Sequence, residues 1–204
     1  MFVIEFYTLP DGRKPVEDFL DSLPAMMRVK AIDSLTLLEE FGNQLRLPYS
    51  KALSDGLFEL RIKFSGDISR IFYFFYIGNK IIVTNGFIKK TQKPHRLSLQ
   101  KPENTSRTMR GGIRMSDLQR YKNKQLQDPE FKAEYERTRP EFEIMHALVD
   151  ARISQNMTQK ELAEKSGVRQ SNISRIENGT CSPTIATLEA LASGMGKKLI
   201  VSFE

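Results

Sequence analysis

Four stretches of the 204-residue chain combine residue types that can act on a phosphodiester or on the edges of bases. In LFELRIKF, residues 57 to 64, strand alternation places Glu59, Arg61 and Lys63 on one face and Leu60, Ile62 and Phe64 on the other. In the next run, residues 68 to 77, Arg70 shares a face with Phe72, Phe74 and Tyr76. An arginine inside such an aromatic run is costly to bury, so it is expected at the sheet rim or against an anion. Just beyond a third strand-like run come Lys89, Lys90, Lys93 and His95. Cations converging beside aromatic rings suit an RNA phosphate and a stacked base.

The fourth stretch is TQKELAEKSGVRQSNISRIENG, residues 158 to 179. Thr158 and Glu161 stand three apart, as a capping box requires, so a helix is predicted to begin there. Leu162 and Ala163 face inward, Gly167 gives the backbone freedom for a turn, and Val168 plugs the corner between two helices. The second helix, roughly Gln170 to Glu177, buries Ile173 and Ile176 and shows Gln170, Ser171, Asn172, Ser174 and Arg175 on its other face. Such polar heads can read base edges when a helix lies in the major groove. Gln159, at the start of the preceding helix, is placed to meet a phosphate.

These residues need elements to hold them. FVIEFY, residues 2 to 7, has strand composition, and Pro10-Asp11-Gly12 turns the chain. Pro15 opens a helix with Val16, Phe19, Leu20 and Leu23 at helical spacing, and after Pro24 the series Met27, Ala31, Leu35, Leu38 and Phe41 continues to Gly42. Strand-like runs at 57–64, 68–77 and 80–88, separated by Ser65-Gly66-Asp67 and Gly78-Asn79, favour an antiparallel meander. The expected N-terminal fold is α+β, two helices on an antiparallel sheet, over residues 1–93.

From residue 94 to 114 Lys, Arg, Ser, Thr and Pro dominate, which reads as a basic linker. Ser116 or Asp117 can cap a helix from Leu118 to Leu126, Asp128-Pro129 breaks it, a second charged helix spans 130–138, and Pro140 is expected to start a third. Residues 115–140 form a helical arm with little apolar surface, and 141–204 an all-α domain. In that domain Ile144, Leu148 and Ile153 face inward, Ile185, Leu188 and Leu191 follow Pro183-Thr184, and KLIVSF at the end reads as a strand.

The net charge of +6 is unevenly placed: residues 1–114 hold 18 basic and 12 acidic side chains, residues 115–204 hold 13 of each. Residues 80–114 carry nine basic residues against Glu103 alone, a concentration suited to a polyanion. Cys181 is the single cysteine, read as a structural thiol, and a reducing cytoplasm is the simplest compartment. The first residues lack a cationic leader, and no apolar run reaches the roughly 18 residues of a membrane span. No metal or other cofactor is called for.

Residues 158 to 179, with their surroundings from about 141 to 196, closely resemble the Xre/Cro-type repressor family. The resemblance implies a dimer on palindromic operator DNA, with contacts from Gln159, Gln170, Ser171, Asn172 and Arg175, and with Arg169 and Ser174 beside them. Arg169 stands where the family often has a small residue. In the first half, LSDGLFELRIKF, RIFYF and GFIKKTQKP resemble the phage-derived branch of the RelE/HigB toxin superfamily. That resemblance implies a metal-independent endoribonuclease cutting messenger RNA on the ribosome through an activated 2′-hydroxyl. By position Arg70 matches the family's central arginine, Arg61 and Lys63 its strand cations, and Lys89 and Lys90 its basic strand end. Fixed cations at developing negative charge are the expected catalytic term, with Tyr76 and His95 as candidates for proton transfer. After KKTQKP the chain departs from the family, which continues there with a charged helix.

A HigB-like half followed by a HigA-like half reads as a toxin and its antitoxin in one polypeptide, in contact within or between chains. Glu130, Glu134, Glu136, Glu141 and Glu143, in and just after the arm, are expected to complement the basic toxin rim, and tethering favours the inhibited state. Two other readings stay open: a transcription regulator whose N-terminal domain only senses or oligomerises, and two reading frames joined near Met115.

Overall fold

The chain is described in a computed structural model covering residues 1–64, 67–88 and 115–202. Its N-terminal part is a five-stranded sheet of β1 (Val3–Phe6), β2 (Ser50–Ala52), β3 (Leu57–Phe64), β4 (Asp67–Tyr76) and β5 (Lys80–Ile88), in the order β1-β5-β4-β3-β2. The strands β3 to β5 form the expected antiparallel meander, which β2 extends at the β3 edge. The first strand corrects the expectation: β1 pairs with β5 in parallel, Val3 opposite Lys80 and Phe6 opposite Val83, so the sheet is mixed. The chain reaches that position because the two helices intervene between β1 and the meander, a crossover that parallel neighbours require. The three-residue edge strand β2 was not foreseen; it is too short for alternation to reveal.

Helices α1 (Pro15–Asp21) and α2 (Ala25–Phe41) lie on one face of the sheet. Pro15 occupies the first turn of α1, where its missing N–H costs nothing, and the helix buries Val16, Phe19 and Leu20. Phe19 packs directly over Gly86 of β5, where an added Cβ would stand 2.2 Å from the ring. Opposite α2, Leu60, Ile62, Ile71 and Tyr73 complete the core.

The second half adds α3 (Asp117–Gln125) and α4 (Pro129–Ser154), then α5 (Gln159–Ser166), α6 (Gln170–Glu177) and α7 (Ile185–Gly194). Ser116 caps α3 by accepting from the Gln119 amide. Asp128 caps α4, which runs unbroken through Pro140, so neither a third helix nor a boundary begins there. Its neighbours hold the turn: Thr138 Oγ1 donates to the Glu134 carbonyl and Arg139 Nε to that of Tyr135. A proline inside a helix removes one hydrogen bond, and here tertiary burial outweighs that loss.

The arm is also less polar in effect than its composition suggested. Leu118, Tyr121, Phe131, Phe142, Met145 and Val149 join the N-terminal core, covering α2 from outside. A second, smaller core gathers Leu148, Leu162, Ile173, Ile176, Leu191 and Met195. Ile144 and Ile185, expected inside, are exposed; Met145 and Val149 take the inward stripe of α4 instead. Residues 197–202 form no strand, and Ile200 and Val201 are 81% and 61% exposed, because an edge strand needs a neighbour and none lies alongside. Among the described residues no helix is long and apolar enough to cross a membrane.

Candidate nucleic-acid interfaces

The register of β3 and β4 sets Arg61 directly opposite Arg70, on the sheet face away from α1 and α2. Between them sits Glu59, only 2% exposed. Arg61 Nε donates to Glu59 Oε1 at 2.6 Å and Arg70 Nη1 to Oε2 at 2.7 Å, so a single carboxylate bridges the two guanidiniums. Arg70 meets an anion, as its aromatic surroundings required. Its buried Nε has no hydrogen-bond partner among the described residues.

Phe72 and Phe87, neighbours across β4 and β5, hold their ring centroids 5.5 Å apart beside this pair. Both are half-buried, and Lys63 is exposed two residues beyond Arg61. The face is therefore cationic and aromatic, able to bind a phosphate and to stack a base. Arg70 pairs with Phe87, one residue before the end of β5 at Ile88. Lys89, Lys90 and His95 themselves lie outside the described residues, as does the 94–114 linker. Tyr76 is not brought to the pair: it pairs with Lys80 at the far end of β4, roughly 20 Å away at the strand rise. A direct proton transfer from Tyr76 at Arg70 is thereby ruled out by geometry.

In the C-terminal part, the Thr158 capping box forms in full, and the backbone hydrogen bond to the Glu161 carboxylate lowers its pKa. Gly167 closes α5 at φ +72°, a left-handed turn that favours glycine. The outer face of α6 exposes Gln170, Ser171 and Arg175, with Arg169 exposed just before it. Asn172 and Ser174 are half-buried, and Ser174 is engaged by the Asn178 amide.

Gln159 differs from its expected role. It is 7% exposed, and its Nε2 donates to Glu177 Oε2 at 2.8 Å while its Oε1 accepts from Gln170 Nε2 at 2.9 Å. Glu177 is fully buried and also accepts from Arg152 through both oxygens, at 2.7 and 2.9 Å. Burial works against the Arg152 charge, yet the Glu177 hydrogen bonds and charge leave its pKa raised. Tyr49 of the N-terminal part completes the cluster, donating to the Glu177 carbonyl at 2.6 Å. Burial, with the Glu177 charge added, raises the Tyr49 pKa well above that of a free phenol.

Sequence reasoning did not single out Tyr49, Glu59, Arg152 or Glu177 as site residues. Glu59 was readable, since alternation puts it beside Arg61. The others come together only through the tertiary fold, from three separate elements.

Besides the Tyr49 bond to Glu177, the two halves meet on the helical side and at β1. Phe6 N–H donates to Asp117, and Lys14 pairs with the same carboxylate. Tyr121 and Gln125 donate to Asp21, Arg139 pairs with Asp33, and His146 lies 2.6 Å from Glu40. Of the five glutamates expected to complement basic residues, Glu141 reaches Lys30 at 3.9 Å, while Glu134 and Glu136 pair with Arg137 and Lys132 on their own helix. Apolar packing carries this contact more than charge does. Among the described residues no His, Cys, Asp and Glu cluster could hold a metal ion.

Comparison with known proteins finds two family matches along the chain. Residues 18–105 match the family of phage-derived Gp49-like proteins, and residues 148–201 match a helix-turn-helix family. Over 59 residues the chain is 37% identical to an uncharacterized HTH-type transcriptional regulator, y4dL, of Sinorhizobium fredii. That similarity covers 29% of this chain and 30% of the relative. The chain thus carries a Gp49-like segment and a helix-turn-helix segment in one polypeptide.

Proposed function

We propose that this chain is a toxin and its antitoxin in one polypeptide. The N-terminal domain is a RelE-like, ribosome-dependent endoribonuclease, and the C-terminal domain neutralises it and represses its own operon as a dimer on operator DNA. The observation that carries the reading is the cross-strand pair Arg61 and Arg70, set beside Phe72 and Phe87 on a sheet face that the arm contacts do not use.

In the cleavage step a 2′-hydroxyl of the message attacks the adjacent phosphorus. The 5′-oxygen leaves with a proton, and the negative charge on the phosphorane is met by fixed cations. Arg70, Arg61 and Lys63 supply that charge together with Lys89 or Lys90. A phosphate entering this face exchanges with Glu59 for the two guanidiniums. Because the joining contacts fall on α1, α2, β1 and Tyr49, and not on the Arg61 and Arg70 pair, neutralisation works through the bulk that the second half adds, which keeps the domain from its seat on the ribosome.

The test is expression of residues 1–114 against the full chain, with translation and the integrity of ribosome-bound message as readouts. Arrest by the fragment, its loss in Arg70→Ala and its reversal by residues 115–204 supplied in trans are the expected results. The similarity to a transcriptional regulator favours a second reading, in which the N-terminal domain only oligomerises or senses. A folded fragment that leaves message intact selects it.

A further inference from the structure

Between the two domains runs a groove of about 990 Å³. One wall is the segment from Asn43 to Ala52 with the end of β3; the other is formed by Thr158, Gln159, Lys160 and Gln170, at the N-terminal ends of α5 and α6. Five cations line it, Arg46, Lys51, Arg61, Lys63 and Lys160, and none of its lining residues is acidic. Arg61 is engaged by Glu59, and Lys160 lies 3.9 Å from Glu164. Among the described residues Arg46, Lys51 and Lys63 have no ion-pair partner, and all three are exposed.

The basic wall is tied to the recognition helix by a chain of hydrogen bonds. Tyr49, between Arg46 and Lys51, donates to Glu177; Glu177 accepts from Gln159, and Gln159 accepts from Gln170 at the first turn of α6. The cations are therefore held in fixed relation to the residues that meet operator DNA.

We infer that this groove takes the sugar-phosphate backbone of duplex DNA, so that Arg46, Lys51 and Lys63 of the N-terminal domain extend the footprint of the helix-turn-helix. The inference rests on the operator-binding reading. Charge selects a polyanion. The rings along the groove argue against a stacked single strand. Phe58 is stacked on Tyr73 at 5.4 Å and edge-on to Phe75 at 5.3 Å, so these faces are already occupied. Tyr73 is 1% exposed, and its hydroxyl is bonded to Ser50. What remains accessible is aliphatic surface at Leu47 and Ala52 and, along the same wall, the positive charge of Arg46, Lys51 and Lys63.

The experiment uses the full chain and the double variant Arg46→Gln/Lys51→Gln. Both positions are exposed, so folding is expected to survive, and circular dichroism checks this. Binding is followed by fluorescence anisotropy across a salt series. The probes are the duplex upstream of the chain's own coding region, a scrambled duplex and a single-stranded RNA. Two lost phosphate contacts reduce the slope of log affinity against log salt by about 2, on both duplexes alike, with the ratio between them unchanged. An unaltered slope overturns the inference, and so does a loss confined to RNA. If the wild-type chain shows no preference between the duplexes, the operator reading fails while the slope still decides the groove. If it binds no duplex at all, both fall.

Discussion

The Tyr49 hydroxyl donates a 2.6 Å hydrogen bond to the main-chain carbonyl of Glu177, the last residue of the recognition helix, joining positions 128 residues apart. The bond is buried, and it couples the segment leading into the sheet edge to α6. Removing the hydroxyl in Tyr49→Phe leaves that carbonyl without its buried donor, a cost of about 1 to 3 kcal/mol. Urea unfolding is expected to show a lowered midpoint with an unchanged slope, and hydrogen exchange should quicken at the end of α6. An unchanged midpoint would mean that water replaces the phenol and that the coupling is weak.

Phe131 tests whether the arm belongs to the N-terminal core. It is fully buried, stacks against Tyr135 at 6.0 Å and shares one cluster with Leu35 and Ile71. Phe131→Ala is expected to lose about 3 to 5 kcal/mol, as for large cavities in well-packed cores. The loss should appear in the unfolding of residues 1–88 as well as of the arm. Separate transitions, with only the later one shifted, would show that the arm merely rests on the domain.

The helix-turn-helix was legible almost to the residue, because its signals are local. Thr158 and Glu161 cap α5, Gly167 turns the chain, and Ile173 and Ile176 repeat on one face of α6. The meander was legible for the same reason: alternation and turn residues act over a few positions. What escaped were relations between distant segments. The parallel pairing of β1 with β5 leaves no periodic mark, nor does the use of Phe131 and Phe142 to cover α2. Gln159 looked like a surface residue from its type and place, and only the fold reveals Glu177 behind it.

Asp33 offers a pH test. It lies in the α2 face covered by α4, paired with Arg139, and its Oδ2 is buried with no hydrogen-bond partner among the described residues. Burial raises its pKa above 3.8, outweighing the opposing pull of Arg139. A carboxyl group whose folded pKa is raised contributes stability that is fully present below its unfolded pKa and is lost as pH rises through the folded value. Asp33→Asn removes that dependence while keeping an oxygen for Arg139. The stability difference should therefore move in favour of the variant as pH rises from about 4 through the raised value, then level off. A wild type that gains on the variant over this range would show that the Arg139 pair, and not desolvation, sets the balance.

Glu59 decides how the basic face is held. Its carboxylate takes one charge-assisted hydrogen bond from Arg61 and one from Arg70, so without a ligand the two cations carry a net charge of only one between them and it. In Glu59→Gln the side chain keeps its shape and one acceptor but not its charge. Stability is expected to fall by about 1 to 3 kcal/mol, since two hydrogen bonds to a buried group are weakened. Binding of a short single-stranded RNA should tighten at low salt, with a salt slope steeper by roughly 0.7 for each cation released to a phosphate. That outcome makes Glu59 a competitor of the phosphate, displaced when RNA enters. A folded variant that binds RNA more weakly would instead show that Glu59 positions the guanidiniums, and that their geometry matters more to the site than their free charge.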